Sequence, residues 1–303
     1  MARAVLKMTG SADGYSRRMA RRRALLAYVP AAIAYVRKRR DLGAPRPLSV
    51  LITAAAPAVV HAALPPGRKR AAAVWATHMW AYKANFEIPY DRPEELCRRL
   101  TIDAPLNSDT AIGLGTPPGQ RLQRRLRRPP ELTILDRALT YLYYTWEAAP
   151  HAVLVWILRN EPERFPLAAA RLGVTFDLTL LGYWGLPSAP PWWASEREGR
   201  MDREVRRVVF EVGAELKRQR RPRIDHNPGA NPWAAMPSDH FATAVMTAML
   251  LSELGPAAGA AGAAYALALG TALVYTGEHY VTDLLAGLVL ALGVQAGARA
   301  FCD

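Results

Sequence analysis

From Ala257 to Thr276 the chain runs for about twenty residues through Ala, Leu, Gly, Val, Tyr and Thr without one charged side chain. At 1.5 Å per residue, a helix of that length crosses a bilayer core of about 30 Å. Inside hydrocarbon only a helix or a closed barrel satisfies its own backbone, and a single run this long reads as a helix. Leu284 to Ala298 is also uncharged, and Phe241 to Leu254 carries only Glu253. Gly255-Pro256 punctuates the chain between two of these runs. Upstream, Ala138 to Leu158 and Pro166 to Leu186 read as two more spans, the second interrupted by Arg171 and Asp177, charges expected to face the bundle interior. Leu48 to Leu64 and Ala71 to Tyr82, separated by Pro65 to Arg70, read as spans or as a hairpin. Small residues such as Gly259, Gly262, Gly270, Gly287 and Gly293 suit close helix approach in a membrane. The fold class expected is therefore an all-α polytopic membrane bundle of six or seven spans with amphipathic interfacial helices.

Composition agrees. Apolar residues make up 51% of the chain, yet mean hydropathy is −0.04, which requires apolar and charged residues to sit in separate blocks. The net charge is +13, from 39 Lys and Arg against 26 Asp and Glu. Basic residues beside long apolar runs favour a bilayer with anionic lipids as partner. Nucleic acid is not expected, because zinc-finger spacing, an aromatic RNA-binding signature and a basic region with heptads are all missing from the sequence. Cys97 and Cys302 give no metal-ligand spacing.

Three regions are expected. Residues 1–47 form a basic arm in which Arg17, Arg18 and Arg21 to Arg23 precede a short interfacial helix, Ala24 to Val36; Arg37 to Arg40 follow where a signal peptide would have a small-residue cleavage site. Residues 48–137 hold the N-terminal hairpin and a basic connection, in which Leu122 and Leu126 share one face of a surface helix over Arg121 to Arg128. Residues 138–303 form the catalytic core, including a hydrophilic connection, Ser188 to Pro237, with a helix-like stretch from Met201 to Arg220.

Two of the six histidines occupy unusual places. His279 and Asp283 lie four residues apart at the opening of the last apolar run, so on a helix they would share a face. A carboxylate there can accept from Nδ1–H, fix the tautomer and leave Nε2 free as a nucleophile. His240 follows Pro237-Ser238-Asp239, one down-and-back pair of spans earlier, so both imidazoles should emerge at one membrane face. One can attack phosphorus while the other protonates the leaving oxygen. Ser238, at a helix start, can help hold phosphate oxygens together with the free backbone N–H groups there. Glu147 and His151, also four apart, read as a polar pair on one helix face.

These motifs resemble the membrane branch of the type 2 phosphatidic acid phosphatase (PAP2) superfamily. Pro237-Ser238-Asp239-His240 is similar to its Pro-Ser-Gly-His motif, and His279 to Asp283, followed by Leu284-Leu285-Ala286-Gly287, to its His-x-x-x-Asp motif. The Glu278-His279-Tyr280-x-x-Asp283 form and Ala189-Pro190-Pro191-Trp192-Trp193 look like its inositolphosphotransferase-like, aureobasidin-target subgroup. The resemblance covers roughly residues 138–300. It implies a phosphohistidine on His279, orientation by Asp283, and His240 as general acid. The sequence departs from the family in three places. Asp239 replaces the usual glycine, the Ser-Arg before the third motif falls on Ala272 and Leu273, and the nearest approach to Lys-x6-Arg-Pro, from Lys83 to Arg92-Pro93, has eight intervening residues. Transition-state oxygens still need cations, and Arg197, Arg200 and Arg223, in the connection before motif two, are the candidates.

The expected activity is hydrolysis or transfer of a phosphate group on a lipid of the phosphatidate, prenyl phosphate or phosphoinositol type, with no metal and no cofactor. The competing expectations are a catalytically degenerate lipid-binding protein and a transporter, the latter suggested by Arg171, Asp177 and Glu147. The basic connections lean the active-site face toward the cytoplasm. The sequence leaves the oligomeric state open.

Overall fold

The computed structural model describes Arg22, residues 25–217 and residues 231–302. Arg17, Arg18, Arg21, Arg23 and the candidate Arg223 lie outside the described residues. The described chain separates into two compact units, 1–91 and 92–303. It is helical throughout; among the described residues only isolated bridges, such as Thr101 with Ser188 and Ser188 with Ala234, represent extended pairing.

The first unit contains α1 (25–38), α2 (Arg46–Ala63) and α3 (Arg68–Glu87), closed by a 3₁₀ turn, Ile88–Asp91. Pro65 and Gly67 break the chain between α2 and α3, which pack as a hairpin. Thr53 donates to the Asn85 side chain across that hairpin at 2.9 Å. Buried Arg39 ties α1 to the unit's end through a two-pronged bond to Asp91, 2.7 and 3.0 Å.

The second unit holds short helices α4 (Pro93–Cys97), α5 (Asp103–Ile112) and α6 (Pro118–Leu126), then α7 (Ile134–Thr145), α8 (Ala149–Asn160), α9 (Phe165–Gly185), α10 (Pro191–Glu196), α11 (Val208–Leu216), α12 (Asp239–Ser252), α13 (Pro256–Tyr275) and α14 (Val281–Cys302). Among the described residues, four helices are long and apolar enough to cross a membrane: α2, α9, α13 and residues 281–300 of α14. The expected span from Ala138 to Leu158 is not one helix. It breaks at residues 146–148, just before Pro150, which lacks an N–H and fits only the first turn of α8. Glu147 therefore lies exposed in the break, and His151 stacks on Phe176 instead of sharing a helix face with it. Likewise, Met201 to Arg220 is not one helix: residues 201–203 form a 3₁₀ turn and α11 begins only at Val208. Arg171 is buried as expected, whereas Asp177 lies on the exposed side of α9.

α12 is the hub, packing on α13, α14, α9 and α8. Ala244, Ala266, Leu269, Leu273, Val274 and Leu284 form the shared core, flanked by Leu122 of α6 and Phe241. Ala272 and Leu273, where the resemblance places Ser-Arg, are both fully buried, Leu273 within this core. The expected amphipathic helix thus exists, but its Leu122 faces this core while Leu126 is exposed.

Candidate active site

The site assembles where α12 and α14 begin and α13 ends. Ser238 caps α12, its Oγ accepting from Phe241 N at 3.3 Å. Its own N–H donates to the Asp283 carbonyl at 3.0 Å, which ties the start of α12 to the start of α14. Gly287 makes this junction possible, since a Cβ there would sit 2.6 Å from the Ser238 carbonyl oxygen. Tyr183 of α9 holds the approach to α12, donating to the Pro237 carbonyl at 2.9 Å and accepting from Asp239 N at 3.2 Å.

His240, in the first turn of α12, rests against aromatic rings of α7 and the break that follows: Tyr143 stacks at 5.3 Å and Trp146 lies 4.1 Å away, centroid to centroid. Trp146 is itself fixed by an indole bond to Thr243 at 2.8 Å. On the other side, α13 ends in a turn in which Gly277 adopts φ +79° and the N–H groups of Glu278 and His279 both reach the Leu273 carbonyl, at 3.1 and 3.2 Å. A side chain at Gly277 would be strained, and its Cβ would fall 2.7 Å from the Arg206 carbonyl.

His279 lies just before α14 rather than on it, and is 3% exposed. Its Nδ1 is 3.4 Å from Asp283 Oδ2, which also accepts from Tyr280 N at 2.8 Å. The four-residue spacing therefore works as a helix-start arrangement, in which a first-turn carboxylate bonds backward, and not as one face of a continuous helix. Asp283 Oδ1 is buried and has no hydrogen-bond partner among the described residues. His279 Nε2 stands 3.2 Å from His240 Nδ1, with the rings edge-to-face at 62°. The same His240 nitrogen lies 3.0 Å from Asp239 Oδ1. Asp239, which replaces a glycine in the resemblance, thus points its charge at His240.

The remaining sequence candidates sit as follows. Ser238 is fully buried as the cap of α12. Arg197 is exposed with its guanidinium over the Trp193 ring at 5.8 Å, and Arg200 is exposed and paired with Asp103 at 2.9 Å. Sequence reasoning missed two charged groups beside the histidines. Asp109 of α5 is buried and accepts from Thr282 N and Oγ1 at 3.0 and 3.3 Å, capping the start of α14. Burial, opposed by those bonds and reinforced by the nearby Asp283 charge, pushes its carboxyl up to about 6. Arg207 makes a two-pronged pair with Glu278, the residue before His279, at 2.7 and 3.0 Å. Burial works against the charge on Arg207, but Glu278 outweighs it and holds the guanidinium above its usual range. Neither group has a periodic signal in the sequence; both partnerships link segments at least seventy residues apart. His, Cys, Asp and Glu residues form no group able to hold a metal ion among the described residues.

Among the described residues, a helical bundle with membrane-length helices gathers two imidazoles and two carboxylates at helix ends, the architecture of an integral membrane protein. The sequence profile of the PAP2 superfamily matches residues 109–297, and the chain belongs to that superfamily, whose members are in general phosphoric ester hydrolases. No curated protein and no solved structure matches the chain.

Proposed function

We propose that the protein is a multi-pass membrane enzyme that removes or transfers the phosphate group of a lipid through a phosphohistidine on His279. The observation that carries this reading is the 3.2 Å approach of His279 Nε2 to His240 Nδ1, with Asp283 behind the first ring and Asp239 beside the second. With Asp283 accepting from Nδ1–H, the lone pair of His279 is on Nε2, the nitrogen that faces His240. In the first step that lone pair forms a bond to phosphorus as the bond from phosphorus to the leaving alcohol oxygen breaks. The Nδ1 proton of His240 passes to that oxygen, and Asp283 stabilises the positive charge developing on His279. In the second step the oxygen of water, or of an acceptor hydroxyl, attacks phosphorus. The P–N bond breaks, and His240 takes the proton of the attacking oxygen. Water as acceptor gives a phosphatase and a lipid or sugar hydroxyl gives a transferase; access of water decides between them.

Glu278-His279-Tyr280 with Asp283, together with the Ala189 to Trp193 segment, supports placement in the inositolphosphotransferase-like branch and a phosphatidate, prenyl phosphate or phosphoinositol substrate. The basic connections support a cytoplasmic active-site face and anionic lipid around it. The test uses the full chain purified in detergent with a panel of lipid phosphates and phosphoinositides, measuring released phosphate and transferred head group. His279→Ala should reduce turnover at least about a thousandfold, with His240→Ala close behind. Equal product from wild type and both variants would remove the enzymatic reading and leave a lipid-binding role.

A further inference from the structure

A phosphoryl group in flight spreads negative charge over its outer oxygens, and a fixed cation beside them lowers the barrier. Two positions that could supply one, Ala272 and Leu273, are apolar and sealed in the core. Arg207 stands in a better place. Its Nε and Nη2 are committed to the two oxygens of Glu278, and Glu278 is bonded through the chain to His279. Its guanidinium carbon sits 3.8 Å over the Phe210 ring and 4.4 Å over the Trp192 ring. Trp192 N donates to the Gly277 carbonyl at 3.0 Å, so the aromatic cover and the histidine turn are one assembly. Nη1 alone has no hydrogen-bond partner among the described residues, and the side chain is 21% exposed. A guanidinium with Nε and Nη2 held and Nη1 open is a preorganised anion contact, because the carboxylate and the rings fix its plane before any ligand arrives.

We propose that Arg207, clasped by Glu278, binds the phosphoryl oxygens of the substrate through its open Nη1 edge and takes the part that the apolar pair Ala272 and Leu273 cannot play. This rests on the phosphoryl-transfer reading above. Glu278 is then a positioning residue, and the pair, formally neutral by itself, carries net negative charge only when phosphate joins it.

The test is binding of inorganic phosphate to the full chain in detergent, by titration calorimetry, alongside the thermal midpoint of each variant. Arg207→Lys, which keeps charge and loses the fork, should bind about tenfold more weakly. The exchange Arg207→Glu with Glu278→Arg restores the clasp with its cation moved, and should keep the thermal midpoint while losing phosphate binding. Wild-type affinity in either the lysine variant or the exchange would overturn the inference and leave the pair a structural brace. Should the exchange not fold, the lysine variant decides alone. A wild type that binds no phosphate also overturns it; if that preparation still consumes lipid phosphate, the parent reading survives.

Discussion

Helices α9, α12 and α14 gather polar and charged side chains at both ends of their bundle, and the two ends treat them differently. At the end of α12 distant from the histidines, Arg171 pairs with both oxygens of Glu253 and bonds Gln295 at 3.1 Å, while Arg164 bonds Glu253 at 3.0 Å and also pairs with Glu161. There two arginines meet two carboxylates and the formal charges balance, although the buried Nε of Arg171 has no hydrogen-bond partner among the described residues. At the histidine end Asp283 Oδ1 has no partner among the described residues, Asp239 and His279 converge on one nitrogen of His240, and burial raises the Asp109 carboxyl to about 6. Charges that neutralise one another fix helix ends. Charges left with open lone pairs or shared protons are in position to react with something that arrives.

Three measurements sharpen or break this contrast. The largest effect should come from Asp283→Asn, which keeps the bond from Tyr280 N but presents no carboxylate to His279. Turnover should fall about a hundredfold to ten-thousandfold, with the thermal midpoint little changed. A midpoint that collapsed while residual turnover held would mean that this end, too, is a structural lock. Next, Glu253→Ala strands Arg171 in the bundle and should cost about 2–4 kcal/mol, toward the low side of a broken buried pair because Glu253 is itself partly exposed. Turnover below the new midpoint should stay within about twofold; a catalytic loss would couple the two ends and end the comparison. The smallest effect concerns Asp109. Its carboxyl is raised in the folded chain, so the folded state binds more protons than the unfolded one between about pH 4 and 6. Stability contributed there is full at acid pH and declines as pH rises through that window. Asp109→Asn should show a flatter midpoint against pH than wild type, and parallel curves would rule out the raised carboxyl.

Much of this was legible in sequence because it is periodic or local. Uncharged runs announced α13 and α14, the Pro65–Gly67 break announced the hairpin of α2 and α3, and His279 with Asp283 needed only a count of residues. Pro150 carried the signal for the break between α7 and α8, but the apolar residues around it masked the signal. Partnerships across the fold were not legible. Arg197 and Arg200 were chosen by their nearness to motif two along the chain, yet Arg200 spends its charge on Asp103, while Arg207, seven residues on, is the one tied to the histidine turn. In the sequence Asp239 stood only as a departure from glycine, and its place beside His240 Nδ1 became readable only in the fold.

The contact of Gly287 with the Ser238 carbonyl leaves no slack between the two helix starts that carry the imidazoles. Parting the helix starts would break the bond from Ser238 N–H to the Asp283 carbonyl, whereas rotating a ring widens the gap between the imidazoles with that bond intact. Because Tyr143 and Trp146 wall in His240 on the far side, those two aromatics, and not the bundle, set how bulky a group can enter between the imidazoles, and they are the positions at which one scaffold would be re-cut for ligands of another girth.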